Sequence, residues 1–206
     1  MAPRTDEQNE AIREVSRAKI VETALELFAQ HGYEATSVRM IAQAAGIAQG
    51  LLYNYFASKE ALLATVVQQS MADVRESFVR AEDATDPLRR IERLIRAAFA
   101  IVQRKRTFWK LIYAVRTQGA VVASLGDLLI AASSEIRTTI ERYCRTAGLP
   151  QPEIEAAILF ALIDGVAQHY VLDPENYPLD TVTEAVVARY NTLLAKQGGD
   201  NGTGVA

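Results

Sequence analysis

Residues 36–63 read TSVRMIAQAAGIAQGLLYNYFASKEALL. This stretch offers hydroxyls, amides, phenols and two cations, and it has no carboxylate from Ala35 through Lys59. The chemistry open to such a set is hydrogen bonding to phosphate oxygens and to the edges of bases. A surface that meets phosphates cannot carry carboxylates, so this local gap outweighs the acidic balance of the whole chain. Thr36 and Ser37 stand at an expected helix N-terminus, where free N–H groups and the helix dipole favour an anion. Arg39 lies in the first turn, within reach of a phosphate or a base edge. Gln49 can read adenine bidentately, and Gly50 lets the backbone come close to a groove. Tyr53, Asn54 and Tyr55 project from the same short helix, and Lys59 follows it.

Two short helices joined by a glycine turn must position these groups. Ser37 is placed to cap the first, with Val38, Ile41 and Ala42 facing inward. Gly46 supplies the turn, where a positive φ is cheap only for glycine. The second helix runs over residues 49–55. Ser58 caps a long following helix, with Glu60 in its first turn, where the dipole favours an acid. Upstream, Ile20, Ala24, Leu27 and Phe28 share one face of a helix that Gly32 stops. Thr5 and Gln8 have capping-box spacing at its start. This is the anatomy of a helix-turn-helix, whose second helix enters the DNA major groove.

The rest of the chain has helical spacing almost throughout. Of 206 residues, 50% are hydrophobic and only 7% aromatic. That predicts an all-α protein of about nine helices. A polar break over residues 82–87 precedes a helix that Pro87 opens. Further helices cover 108–118, 121–146 and the stretch opened by Pro152. Gly119 is read as the stop of the 108–118 helix. The last helix follows, with Thr181 and Glu184 spaced as a capping box. The domain reading is residues 1–60 for the helix-turn-helix head, 61–196 for a helical body and 197–206 for a disordered tail.

The formal net charge is −3, so any nucleic-acid contact must be focused on one face. The single Cys144 points to a reduced compartment. The N-terminal residues have no apolar segment of the signal-peptide kind. No uninterrupted apolar stretch approaches the roughly 20 residues that span a bilayer. These features together predict a cytoplasmic protein with no membrane partner. The two histidines, His31 and His169, lie far apart, and there is no HExxH, CxxC or glycine-rich phosphate loop. Neither enzymatic activity, a metal nor a cofactor is expected.

The spacing AGIxxGxxYxxFxSKExLL, with Ala24, Leu27, Phe28, Gly32, Thr36, Ile41, Ala42, Ala45 and Leu52 around it, resembles the tetracycline-repressor family of bacterial regulators. The resemblance covers roughly the first third of the chain closely. It implies a homodimer that binds a near-palindromic double-stranded DNA operator and is released by a small-molecule effector. It also implies phosphate contacts from Tyr53, Tyr55 and Lys59. A DNA-binding protein without an effector, acting architecturally or through a protein partner, is the competing reading.

The family's C-terminal domain dimerises and binds the effector. Aromatic residues Phe99, Phe108, Trp109, Tyr113, Tyr143 and Phe160, with polar Arg116, Asp164 and His169, are the expected pocket for a small hydrophobic or aromatic ligand. Ala157, Ala161 and Gly165 are small residues at four-residue spacing, which permits close helix approach. With Val182, Val186, Tyr190 and Leu193 they are the expected dimer seam. The helix over residues 108–118, short and aromatic-rich, is the expected lever between effector and head.

Overall fold

The computed structural model describes residues 6–79 and 86–200. Among the described residues there are nine helices and no strand: α1 Asp6–His31, α2 Val38–Ala45, α3 Gln49–Tyr55, α4 Lys59–Val79, α5 Pro87–Arg104, α6 Arg106–Val115, α7 Gly119–Thr146, α8 Pro152–Leu172 and α9 Leu179–Asp200. The all-α class and the helix count match the sequence pattern. The cap at Thr5, most of the 82–87 break and residues 201–206 lie outside the described residues. The chain divides into two compact units. One holds the described residues through Ser70 together with Lys110–Gly126, and the other holds Met71–Trp109 and the described residues from Asp127 onward. Helices α4, α6 and α7 each contribute to both units. The first unit therefore extends past residue 60 and includes a segment from the middle of the chain.

In the first unit α1 packs on α2, and α2 packs on α3. Ile20, Val21, Ala24 and Phe28 form the buried stripe of α1, whereas Ile12 and Val15 near its start are exposed. The Ser37 hydroxyl caps α2 by accepting the Met40 N–H at 3.2 Å. Ile41, Ala42 and Ala45 are the buried face of α2. Gly46 then turns the chain at φ 74°, in the left-handed region that disfavours a side chain. Two reverse bonds close that turn, Gly46 N–H to Gln43 O at 3.1 Å and Ile47 N–H to Ala42 O at 2.9 Å. Only Leu52 of the seven residues of α3 is buried.

A polar clasp fixes the connection between α1 and α2. Thr36 is buried, and its hydroxyl donates to Gly32 O at 2.8 Å and lies 3.2 Å from Leu27 O. From the start of α4, the Lys59 ammonium donates to Tyr33 O at 3.0 Å and Thr36 O at 3.2 Å. The same ammonium stands 4.2 Å above the Tyr33 ring. The Tyr33 hydroxyl in turn donates to Glu60 Oε1 at 3.2 Å. Burial and the Glu60 charge push the Tyr33 phenol up. Glu60 is held below its ordinary value, first by its own backbone N–H, then by Ser58, Tyr33 and Lys59.

In the second unit α5 packs on α8 and α9, and α8 packs on α9. Ile91, Leu94, Ile95, Ala98 and Phe99 are the buried stripe of α5. Arg96 links α5 to α9 through both carboxylate oxygens of Glu184, and it also meets Glu92 at 2.9 Å. This explains a departure from the sequence reading. Glu184 serves Arg96 instead of a capping box with Thr181, and α9 opens two residues earlier, at Leu179. Gly119 likewise opens α7 and is not the stop of α6. At the other end α9 runs to Asp200, four residues past Lys196, through positions read as tail. Lys105, at the α5–α6 junction, pairs with Asp73 of α4, and Arg75 meets Glu135 of α7 at 2.9 Å. Cys144 is buried, and desolvation together with the Glu155 charge pushes its thiol up to about 12, which leaves it inert.

Helix α8, 21 residues long, is apolar and long enough to cross a membrane by length and composition alone, although its sequence has no uninterrupted apolar stretch of that length. Only 17% of its most apolar stretch is buried within the chain.

Lys59→Met removes two charge-assisted bonds to backbone carbonyls, so thermal or urea unfolding should show a loss of about 2 kcal/mol. An unchanged unfolding midpoint would remove the clasp as a stabilising device. The lowered Glu60 value sets the sign of a pH effect. Its stabilisation is complete above the ordinary 4.5 and fades as the pH falls through the folded-state value. Wild type should therefore exceed Glu60→Gln in melting temperature by a constant margin from pH 6 to 7, and the margin should shrink below about pH 4.5.

Candidate nucleic-acid interface

The groups with hydrogen-bonding chemistry sit on α2, α3 and the first turn of α4, all within the first unit. On α3, Leu52 points inward and Phe56, just past the C-terminus, is also buried. Every other residue of the helix is at least partly open. Gln49, Gly50, Tyr53 and Asn54 are exposed, and Tyr55 is half-buried. A Cβ built on Gly50 would meet nothing within 4 Å, so the backbone there is bare. Arg39 is exposed on α2, which has no acid in its first turn.

Two of the expected residues have internal partners. Thr36 is buried with its hydroxyl on carbonyls, so its side chain does not reach the surface. What remains for an anion there is the capped N-terminus of α2, where Ser37 is exposed. Lys59 is half-buried and directs two N–H bonds into the fold. One ammonium proton and the charge itself remain for an outside partner.

Sequence reasoning missed three features of this site. Tyr33 links Lys59 to Glu60, and nothing in its spacing distinguishes it from a core aromatic. Arg17 lies with its guanidinium 5.3 Å above the Phe56 ring, at the C-terminal end of α3. Lys19 Nζ lies 3.9 Å from where a side chain on Gly46 would begin, at the C-terminal end of α2. Neither α2 nor α3 has a base in its own last turn, so α1 supplies both cations to those negative helix ends. The third feature is Leu51, which is exposed on α3. Leu52 holds the inward position beside it, and nothing in the spacing distinguishes the two leucines.

The residues expected to line an effector pocket are dispersed. Phe99, Phe108 and Tyr143 are buried and Trp109, Phe160 and Asp164 half-buried, all in the second unit. The Phe108 and Trp109 rings meet edge to face at 5.3 Å. Tyr113 and Arg116 belong to the first unit, with the exposed Arg116 guanidinium 5.4 Å above the Tyr113 ring. His169 is exposed and stacks on Tyr177 at 6.2 Å, on the outside of its unit. The expected seam residues also divide. Ala157 and Ala161 are exposed, and Gly165, Val182 and Leu193 are half-buried. Val186 and Tyr190, expected in the seam, are buried in the core of their own unit. The face that α9 leaves open is a shallow groove lined by Ala185, Ala188, Arg189, Thr192 and Leu193. Among the described residues no group of three or more His, Cys, Asp or Glu side chains is placed to hold a metal ion.

Residues 20–66 match the family model described as bacterial regulatory proteins, tetR family. Residues 87–195 match the C-terminal domain of BetI-type transcriptional repressors. The HTH-type transcriptional repressor KstR2 of Mycobacterium tuberculosis is 36% identical over 91 residues, which are 42% of this chain and 44% of that protein. The chain thus spans less than half the length of that curated relative. Among solved structures, a transcriptional regulator from Rhodococcus sp. Rha1 has a TM-score of 0.76 at 22% identity, over 87% of this chain and 96% of that one. AibR, solved with isovaleryl coenzyme A and operator DNA, has a TM-score of 0.71 at 21% identity, over 84% and 97%. With one family model covering the helix-turn-helix and a second covering more than half of the chain, the protein belongs to the tetR family of DNA-binding transcriptional regulators, and it is not an enzyme.

Proposed function

We propose that this regulator is a repressor that binds a near-palindromic operator as a homodimer and leaves it when a small molecule occupies the second unit. The observation that carries DNA contact is the open, acid-free surface made by Ser37, Arg39, Gln49, Gly50, Tyr53, Asn54 and Tyr55. A single short recognition helix gives little affinity, so two copies about one DNA turn apart are needed. Chromosomal DNA places the action in the cytoplasm.

The dimer seam follows from α8. Ile154 and Ile158 are exposed on it, beside exposed Ala157 and Ala161. An apolar face on a helix that stays mostly uncovered within its own chain calls for a partner. A second copy fits, because small residues one turn apart allow two α8 helices to approach closely while α9 supplies Ala185 and Ala188 alongside. The seam on α9 is thus shifted by about one residue from the Val186 and Tyr190 stripe. Asp164, within the apolar run, favours a protein partner over lipid.

For the effector, the buried and half-buried aromatics Phe99, Phe108, Tyr143 and Phe160 supply apolar wall, with Asp164 as a polar anchor. The AibR neighbour carries an acyl thioester of coenzyme A, and an acyl chain suits such walls. Like α4 and α7, helix α6 contributes residues to both compact units, and it is the shortest of the three. That makes it the candidate lever, and a coupling of about 1–3 kcal/mol is enough to weaken operator binding substantially.

Two measurements test this reading. Ile158→Glu places a charge on the exposed face, so sedimentation should show a monomer that is still helical and binds promoter fragments at least tenfold more weakly. A dimer that persists would move the seam elsewhere. Isovaleryl- and longer acyl-coenzyme A thioesters should raise the melting temperature of the protein and release it from its own upstream DNA. If no thioester does either, the effector is of another class or absent, and the effector-independent reading takes its place.

A further inference from the structure

The recognition helix α3, QGLLYNY, has no charged residue. That restricts which bases it can read. Guanine is recognised in the major groove chiefly by Arg or Lys on its O6 and N7 acceptors, and α3 has neither. Its amides are Gln49 and Asn54, and an amide matches adenine, with N7 accepting and N6 donating. Both are exposed, as is the bare Gly50 one turn before Asn54.

Leu51 completes the face. It is 41% exposed, whereas the adjacent Leu52 is fully buried and anchors the helix. Exposed leucines are common and need no partner. This one differs in its place, beside the bare backbone of Gly50 and within the segment from Ala35 through Lys59 that has no carboxylate. The only apolar group on the floor of the major groove is the C5-methyl of thymine, and an apolar side chain is its natural contact.

We infer that Leu51 is a specificity-determining residue that packs on a thymine methyl, so that the core read by α3 is built of A·T pairs. A 5-methylcytosine carries the same methyl, but its guanine partner would face amides where it needs a cation. The inference rests on the DNA-binding reading given above, and it adds which bases are read and by what contact.

The test uses the full-length protein and a pool of random-sequence duplexes, selected through several rounds at low ionic strength. The selected half-site should be rich in A·T pairs. Each thymine of the selected duplex is then replaced in turn by deoxyuridine, which removes only the methyl. Wild type should lose about fourfold in affinity at one position per half-site, the equivalent of one methylene withdrawn from contact. Leu51→Ala should bind thymine and uracil duplexes equally at that position, and Leu51→Met, which keeps an apolar tip, should restore the preference. Because Leu51 is exposed, both variants should retain the wild-type melting temperature, which separates a contact effect from a folding one. The inference is overturned by a selected core of G·C pairs, by wild type indifferent to every uracil, or by Leu51→Ala keeping the full penalty. A different failure, folded protein that enriches no sequence at all, would sink the DNA-binding reading itself.

Discussion

A helix of seven residues does not hold together by itself in water, because too few of its backbone bonds offset the cost of nucleation. α3 is therefore entirely dependent on what it is fixed to. Its fixings are Leu52, buried in the head, Phe56, which is buried and whose backbone N–H donates to Leu52 O, and the turn at Gly46 that sets its angle to α2. The remainder of the head serves that arrangement. α1 lends a buried stripe and, through Arg17 and Lys19, positive charge at the carbonyl ends of both short helices. The Lys59–Tyr33–Glu60 clasp holds the entry to α2 against the start of α4. An element with so little stability of its own needs this density of tethers if its side chains are to be held in one geometry.

The second unit solves a different problem. The helices that lie wholly within it, α5, α8 and α9, run from 18 to 22 residues, long enough to be stabilised by continuous apolar stripes. The ion pairs that link them, Arg96–Glu184 and Arg75–Glu135, lie on the outside and are largely solvated. Pairs of that kind contribute at most about 1 kcal/mol each and serve to set alignment more than strength.

Which parts of this were legible in the sequence follows from the range of the interactions involved. The helix-turn-helix could be read because its signals are local: Ser37 caps a helix three residues on, Gly46 answers a backbone angle at its own position, and Leu52 marks the inward face. The site was legible as a set of outward polar groups for the same reason. What escaped was decided across distance. The spacing of Lys59 gives no sign that it also donates two hydrogen bonds to the carbonyls of Tyr33 and Thr36, more than twenty residues back. Thr181 and Glu184 have the spacing of a cap, but Arg96, 88 residues away, takes the carboxylate. Val186 and Tyr190 share a stripe with Val182, and only the packing of α5 on α9 shows that the stripe faces inward.

The openness of α3 also bears on how such a regulator changes its allegiance. Gln49, Gly50, Leu51, Tyr53 and Asn54 are all exposed and lie outside the buried core of the unit, to which Leu52 anchors the helix. On the proposed DNA-binding reading, the preference for a promoter can change one position at a time upon an unchanged core. Text and typeface are then separable: the anchored residues keep the letterform, and on that reading the five exposed ones spell the address.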